Sequence, residues 1–347
     1  MMGKKYRVGI VGAGNIAQSA HLPAYAKIEN VEVVAIADWN LERAQKAAEK
    51  FGIPQAFDSV ESLLAGADVD YIDICVWNRS HSSVAIAAAK AGKHILCEKP
   101  MAIDLEHALE MQKAVEEAGV AFMMAVPTRY GAEAQLLAEM VEEGKLGEIY
   151  YAKTANVRRR GTPLGWFTDT TKSGGGPVID IGVHCIDRTW YLMGRPKPVR
   201  VSANISKRIG NYQTKGVDRW VALDSDVTAF DTEDSAAGAI HFENGAVMLF
   251  EVSWAMNCPD QSYTQVCGTK AGATLEPLTI YGEDMGYLTD NKPTVKGVDY
   301  FEQEIRHFLD CLDTGKKPIS PLEDGVTVQR ILQGIYDSAR LGKEVEI

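Results

Sequence analysis

Paired cysteines are missing. The 347-residue chain has six cysteines, at 75, 97, 185, 258, 267 and 311, and no two form a Cys-x-x-Cys pair. That spacing gives neither a zinc ribbon nor a disulfide framework, so reduced thiols are expected. His94 and Cys97 flank two apolar residues, but a structural metal needs three or four ligands and nothing completes the set, so no metal is expected. No stretch approaches 18 consecutive apolar residues, which argues against a transmembrane helix. Basic charge is in deficit: 36 Lys and Arg face 47 Asp and Glu, a formal charge of −11. Phosphate-rich partners attract basic surfaces, so neither nucleic acid nor an anionic membrane is expected as a partner. Internal repeats and low-complexity tracts are also lacking. The opening MMGKKYRVGIVGAGNIAQSA imitates a secretion signal, but Arg7 and the glycines break its apolar part, and the reading is a cytoplasmic protein.

What is present is a change of periodicity. Short apolar runs at 6–11, 31–37, 71–76, 93–98 and 121–126 have the length and β-branched content of buried parallel strands. Helical stretches such as LERAQKAAEKF, SVAIAAAKAG and DLEHALEMQKAVEEAG separate them. The alternation predicts an α/β fold whose first part, 1–127, is a doubly wound Rossmann sheet. Residues 128–347 read as an α+β substrate-binding and oligomerisation domain with a large, mainly antiparallel, open-faced sheet. Its strands are expected at 148–157, 197–206, 233–243, 246–255, 262–267 and 273–281, with a hairpin at Asn244-Gly245. Two amphipathic helices within 301–340 close the chain and pack back on it. The first carries Phe301, Ile305, Phe308, Leu309 and Leu312, and no function is expected there.

The first strand, YRVGIV, runs straight into Gly12-Ala13-Gly14-Asn15-Ile16-Ala17. A G-x-G-x-x-A element between a strand and a helix, with Asp38 ending the next strand 21 residues later, is the pattern of a dinucleotide site. Gly12 allows the tight turn, Gly14 lets a pyrophosphate approach, and the helix start favours its charge. Asp38 can accept hydrogen bonds from both ribose hydroxyls and repels a 2′-phosphate, so NAD is expected over NADP. Trp39 and Asn40 follow Asp38. Arg43, one turn on, is counted with the cofactor residues as the cation that favours NADP, though a surface arginine is the simpler reading.

Ligands in an open α/β sheet sit at the carboxyl ends of strands. Val76, Trp77, Asn78 and His81 at one tip, and Glu98 and Lys99 at the next, are therefore candidate cofactor contacts, with Lys99 also a candidate for binding a substrate hydroxyl. Residues 174–187 read GGGPVIDIGVHCID, and the i, i+4 spacing puts Asp180 and His184 on one helix face behind a glycine loop that exposes backbone to substrate. Trp166, just before that loop, could stack on a sugar ring. Arg160, in the run Arg158-Arg159-Arg160, could meet an anionic group on the substrate.

These elements resemble the glucose-fructose oxidoreductase, inositol dehydrogenase and rhizopine-catabolism family, Gfo/Idh/MocA. GAGNIA, Asp38, Asn78-x-x-His81, AGKHILCEKP, Arg129-Tyr130, GGGPVIDIGVHCID and YDSARLGKEVEI occur in family order along nearly the whole chain. The departure is Val76-Trp77, where many members have Thr-Pro. The resemblance implies that Lys99, Asp180 and His184 are catalytic, that Arg129 and Tyr130 belong with the substrate residues, and that the substrate is a sugar, sugar derivative or cyclitol. It also implies a homodimer or homotetramer formed through the second sheet. Dehydrogenating a secondary alcohol needs a base, and an imidazole with an ordinary pKa near 6.5 suits His184 to that role. Lys99 stabilises the developing alkoxide and Asp180 binds a neighbouring hydroxyl. Two other functions use the same fold, a non-catalytic NAD-binding sensor or repressor and an NAD-requiring glycosidase acting by transient oxidation. Retention of all three polar groups argues against the sensor.

Overall fold

The computed structural model describes residues 4–222 and 229–347. The chain forms two compact units, Met1–Pro127 with Asp299–Gln329, and Thr128–Val298 with Arg330–Ile347. The first unit is thus assembled from two distant stretches of sequence.

Its centre is a six-stranded sheet of β1 (Tyr6–Val11), β2 (Val31–Ala37), β3 (Gln55–Phe57), β4 (Tyr71–Ile74), β5 (His94–Glu98) and β6 (Phe122–Ala125). Every pairing is parallel, in the order β3-β2-β1-β4-β5-β6. Helices cover both faces of such a sheet, which is why its strands read as unbroken apolar runs. The intervening helices have ordinary stops and starts. Asn40 caps Leu41–Phe51 by accepting from the Arg43 amide, and Asp104 caps Leu105–Ala118 by accepting from the His107 amide. Gly52 and Gly119 end these two helices in the left-handed conformation. The short strand β3 and the helix Val60–Gly66 are not among the expected elements, because three and seven residues carry too little periodicity to register.

The helix Tyr300–Thr314 belongs to this unit. Phe308 meets the Tyr71 ring edge-on at 5.3 Å, and Tyr6 donates to Asp313 Oδ1 at 2.8 Å.

The second unit is built on a nine-stranded sheet. Its members are β7 (Ile149–Val157), β8 (Pro198–Ser206), β9 (Ser235–Phe242), β10 (Val247–Ser253), β11 (Gln261–Gly268), β12 (Gly272–Leu275), β13 (Thr279–Asp284), β14 (Tyr287–Asn291) and β15 (Val345–Glu346). The order is β14-β13-β12-β11-β7-β10-β9-β8-β15, antiparallel except where β10 runs parallel to β7. Asn244 and Gly245 make the expected hairpin between β9 and β10, with Gly245 at φ +85°. The single strand expected at 273–281 is two, because Glu276-Pro277 turns the chain between β12 and β13.

The helix Val183–Leu192 packs on β7 and β11. Beneath it lies a buried ion pair, in which Arg129 Nε donates to Asp187 Oδ2 at 2.8 Å and Nη2 to Oδ1 at 2.6 Å. Arg129 is fully buried and its guanidinium also lies 4.9 Å from the Tyr191 ring centre. The substrate contact expected of Arg129 is therefore replaced by a structural role, and Tyr130 beside it is buried as well. Removing one member of a buried pair strands the other charge. Arg129→Met is expected to cost about 3–5 kcal/mol, and the double variant Arg129→Met/Asp187→Leu distinctly less. Urea unfolding of the three proteins checks this, and equal losses would contradict it.

Candidate active site

The nucleotide-loop region begins where β1 ends. Gly12 has φ +105°, and a Cβ there would collide with the carbonyl oxygen of Cys75, so only glycine fits. A Cβ on Gly14 would meet nothing within 4 Å, so its side of the loop is open. The helix that follows starts at Asn15 and Ile16, passes through a π turn at Ala17–His21 and ends as Leu22–Tyr25. Gly14, the residue ahead of its start, has no side chain with which to cap it. Asp38 stands just past β2, only 6% exposed, and accepts from the Ala13 amide at 2.8 Å and the Asn40 amide at 2.9 Å. These features fit a dinucleotide, with an open glycine beside uncapped helix amides for the pyrophosphate and a fixed carboxylate for the ribose.

Arg43 is not the surface arginine of the simpler reading. Its Nε donates to Asp38 Oδ2 at 3.0 Å and its Nη2 to Oδ1 at 2.7 Å, and the guanidinium lies 5.2 Å from the exposed ring of Trp39. The rings of Trp39 and Trp77 are 6.1 Å apart.

At the next strand tips, Asn78 opens the helix Asn78–Lys90 and is buried. His81 is also buried, with Nδ1 2.7 Å from the Pro100 carbonyl and Nε2 3.1 Å from that of Val76. Burial lowers its pKa while the two carbonyls raise it, and the ring lies between the two tips facing backbone oxygens of the interior. Glu98 likewise turns inward. Its Oε1 lies 2.9 Å from His21 Nε2, and its Oε2 accepts from the Lys99 amide at 3.1 Å. Lys99 precedes a cis proline and is the one partly exposed residue between Ile95 and Ala102.

In the second unit, GGGPVIDIGVHCID forms a loop, a π turn at Val178–Gly182 and the helix Val183–Leu192, where a single α-helix was expected. Glu233 holds this stretch. Its carboxylate accepts from the amides of Gly176 at 2.9 Å and Val178 at 3.2 Å, and from the Tyr336 hydroxyl at 2.9 Å. Burial raises the Glu233 pKa, and these donors only partly offset it, so it stays above the usual carboxylate range. A Cβ on Gly175 would collide with Tyr336, and one on Gly176 with the Glu233 carbonyl. Gly175 and Gly176 are thus buried and allow close packing within the unit, while Gly174 ahead of them is partly exposed. Glu233 has no local signal in the sequence, because its partners lie 55 to 103 residues away.

From Gly175 to Asp187 every residue is buried except Asp180 and His184. Trp254 Nε1, itself buried, donates to Asp180 Oδ2 at 3.0 Å. Trp166 stacks on Phe167 at 4.0 Å between ring centres. Arg160 is engaged within its own unit, donating to the Arg159 carbonyl and Asn257 and lying over Tyr212. Of the pair considered for a metal, Cys97 is buried and His94 Nδ1 accepts from the Ala121 amide at 3.0 Å. Among the described residues, His21, Asp73 and Cys75 do place three donor atoms within 4.8 Å of one another.

Residues 6–126 match the NAD-binding Rossmann domain of the Gfo/Idh/MocA oxidoreductase family, and residues 138–347 its C-terminal α/β domain. The chain is 34% identical to the D-glucoside 3-dehydrogenase of Escherichia coli K12 over 353 aligned positions, which cover 100% of this chain and 99% of that one. It is 29% identical to the mouse trans-1,2-dihydrobenzene-1,2-diol dehydrogenase, with 94% and 95% covered. Among solved structures it is similar to levoglucosan dehydrogenase in complex with NADH and levoglucosan, at 25% identity and a TM-score of 0.85, with 99% of each chain covered. Both halves of the molecule thus point to one kinship, and the chain belongs to the NAD-binding Gfo/Idh/MocA oxidoreductases.

Proposed function

We propose that this protein is an NAD-dependent dehydrogenase of a secondary alcohol on a sugar, sugar derivative or cyclitol, with Lys99, Asp180 and His184 as its reacting groups. The observation that carries the reading is selective exposure. Two stretches that are otherwise buried, 95–102 and 175–187, each leave accessible only the polar residues that the chemistry needs. The names of the relatives support the substrate class.

The amides from Gly12 to Ile16 would hold the pyrophosphate of NAD, and Asp38 its adenosine ribose. Bound NAD supplies the hydride acceptor. His184 takes the proton of the reacting hydroxyl. The Lys99 ammonium donates to the same oxygen and stabilises the negative charge that develops on it. Asp180, fixed by Trp254, accepts from a neighbouring hydroxyl and so selects a vicinal diol. Self-association as a dimer or tetramer through the second sheet belongs to the same proposal. Support comes from its exposed edge, where Tyr287 and Leu288 are 76% and 90% accessible.

NADH formation measured across glucosides, xylose, levoglucosan and inositols identifies the substrate. With it, Lys99→Ala and His184→Ala should each lower turnover by about 10²–10⁴ with little change in NAD affinity. The double variant should lose far less than the product of the two, as groups acting on one step do. Near-normal turnover in His184→Ala would reduce the 174–187 stretch to a structural loop.

Asp38→Ala should narrow the preference for NAD, because it removes the ribose acceptor and releases Arg43 to meet a 2′-phosphate. The ratio of kcat/KM for the two cofactors reads this directly, and a wild-type preference for NADP contradicts it. Light scattering at micromolar concentration should give a multiple of the single-chain mass.

A further inference from the structure

We propose that His21 is a positioning residue for the reaction: an imidazolium buried between Asp73 and Glu98 that ties the helix of the nucleotide loop to the strand tip bearing Lys99. The inference rests on the reading of Lys99 as a reacting group.

The geometry fixes a proton count. His21 is completely buried, with Nδ1 2.8 Å from Asp73 Oδ2 and Nε2 2.9 Å from Glu98 Oε1. A neutral imidazole has one N–H and would set a lone pair against the second carboxylate, whereas the protonated ring donates to both. Asp73 is in full demand as an acceptor, since Tyr25 donates to its Oδ2 at 2.9 Å and the Cys75 thiol approaches its Oδ1 at 3.6 Å. Tyr71 extends the chain by donating to the Tyr25 hydroxyl. Burial alone would pull the His21 pKa down, but the charges around it, Asp73 foremost, raise it well above the ordinary value.

A further carboxyl group faces this cluster from the helix Tyr300–Thr314. Glu304 is fully buried, and neither of its oxygens has a hydrogen-bond partner of normal geometry among the described residues. Burial first, then the nearby Glu98, raises its pKa well above the usual carboxylate range against the lowering effect of His21, which favours the neutral acid. The Lys99 amide closes the cluster from outside, donating to the outer oxygen of Glu98.

The consequence is directional. A histidine whose folded pKa is raised gives its full stabilisation below about pH 6.5 and loses it as pH climbs through the raised value. Ionisation of Glu304 acts in the same sense. The strand tip is therefore held at neutral pH and loosens in alkali.

The test uses the intact enzyme with ¹⁵N-labelled histidine. Both ring nitrogens of His21, assigned by their loss in His21→Gln, should read as protonated at pH 7.5. A neutral tautomer there overturns the proposal. So would a bound divalent ion whose removal by chelator alters the His21 signals, because a ligating ring is not an imidazolium. In kinetics, His21→Gln should lower kcat by about 10²-fold, the usual effect of small misplacement, while substrate KM moves little. The double variant His21→Gln/Glu98→Gln should be scarcely worse than the poorer single, and independent, multiplying losses contradict the bridge. If instead Lys99→Ala keeps normal turnover, the reading of Lys99 fails while the spectroscopic result for His21 stands on its own.

Discussion

A carboxylate taken out of water must be surrounded by donors, and this fold uses that requirement to shape its loops. Asp38 gathers the Ala13 and Asn40 amides and the Arg43 guanidinium, which fixes the turn after β1 against the end of β2. Glu233 gathers two amides and a phenol, which fixes the glycine loop ahead of Asp180. Beside it, Asp234 accepts three successive amides from Arg208, Ile209 and Gly210 through one oxygen. In each case a carboxylate does what a regular ladder does elsewhere, satisfying backbone donors that an irregular segment would leave bare. The residues proposed to react stand apart by exposure: they are partly exposed where their sequence neighbours are buried.

Much of the frame was legible in the sequence. Parallel strands buried on both faces write themselves as apolar runs, and β1, β2 and β5 stand almost where those runs lie. The turn at Gly12 was readable because only glycine answers its geometry. Direction was harder to read. Glu98, His81 and Arg129 are polar residues at strand ends or after them, and composition does not say whether such a side chain faces a ligand or the interior. All three face inward. Glu233 was illegible because its partners are remote. Glu304 did leave a trace: with Phe301, Ile305 and Phe308 it falls on the i, i+3, i+4, i+7 stripe of an otherwise apolar face, and a charge there calls for a buried neighbour.

The helix of the nucleotide loop and the 175–187 stretch each contain a π turn, one ending at His21 and one just ahead of His184. A π turn closes its hydrogen bonds one residue later than an α turn, so it shifts the phase of every side chain beyond it. In the first helix that shift accompanies a histidine that reaches two strands at once. In the second it separates the Glu233 clamp from the histidine proposed as base, so that the two can be oriented independently.

The two-part construction of the first unit also bears on its birth. Translation delivers β1 to β6 long before residues 299–329 exist, yet Tyr6 finds its hydroxyl partner 307 residues later at Asp313, and the Tyr71 ring is covered by Phe308. The nascent nucleotide-binding sheet therefore leaves the ribosome with one flank bare. Residues 128–298, which carry β7 to β14, are made before that cover. The first unit is complete only once the helix Tyr300–Thr314 joins it.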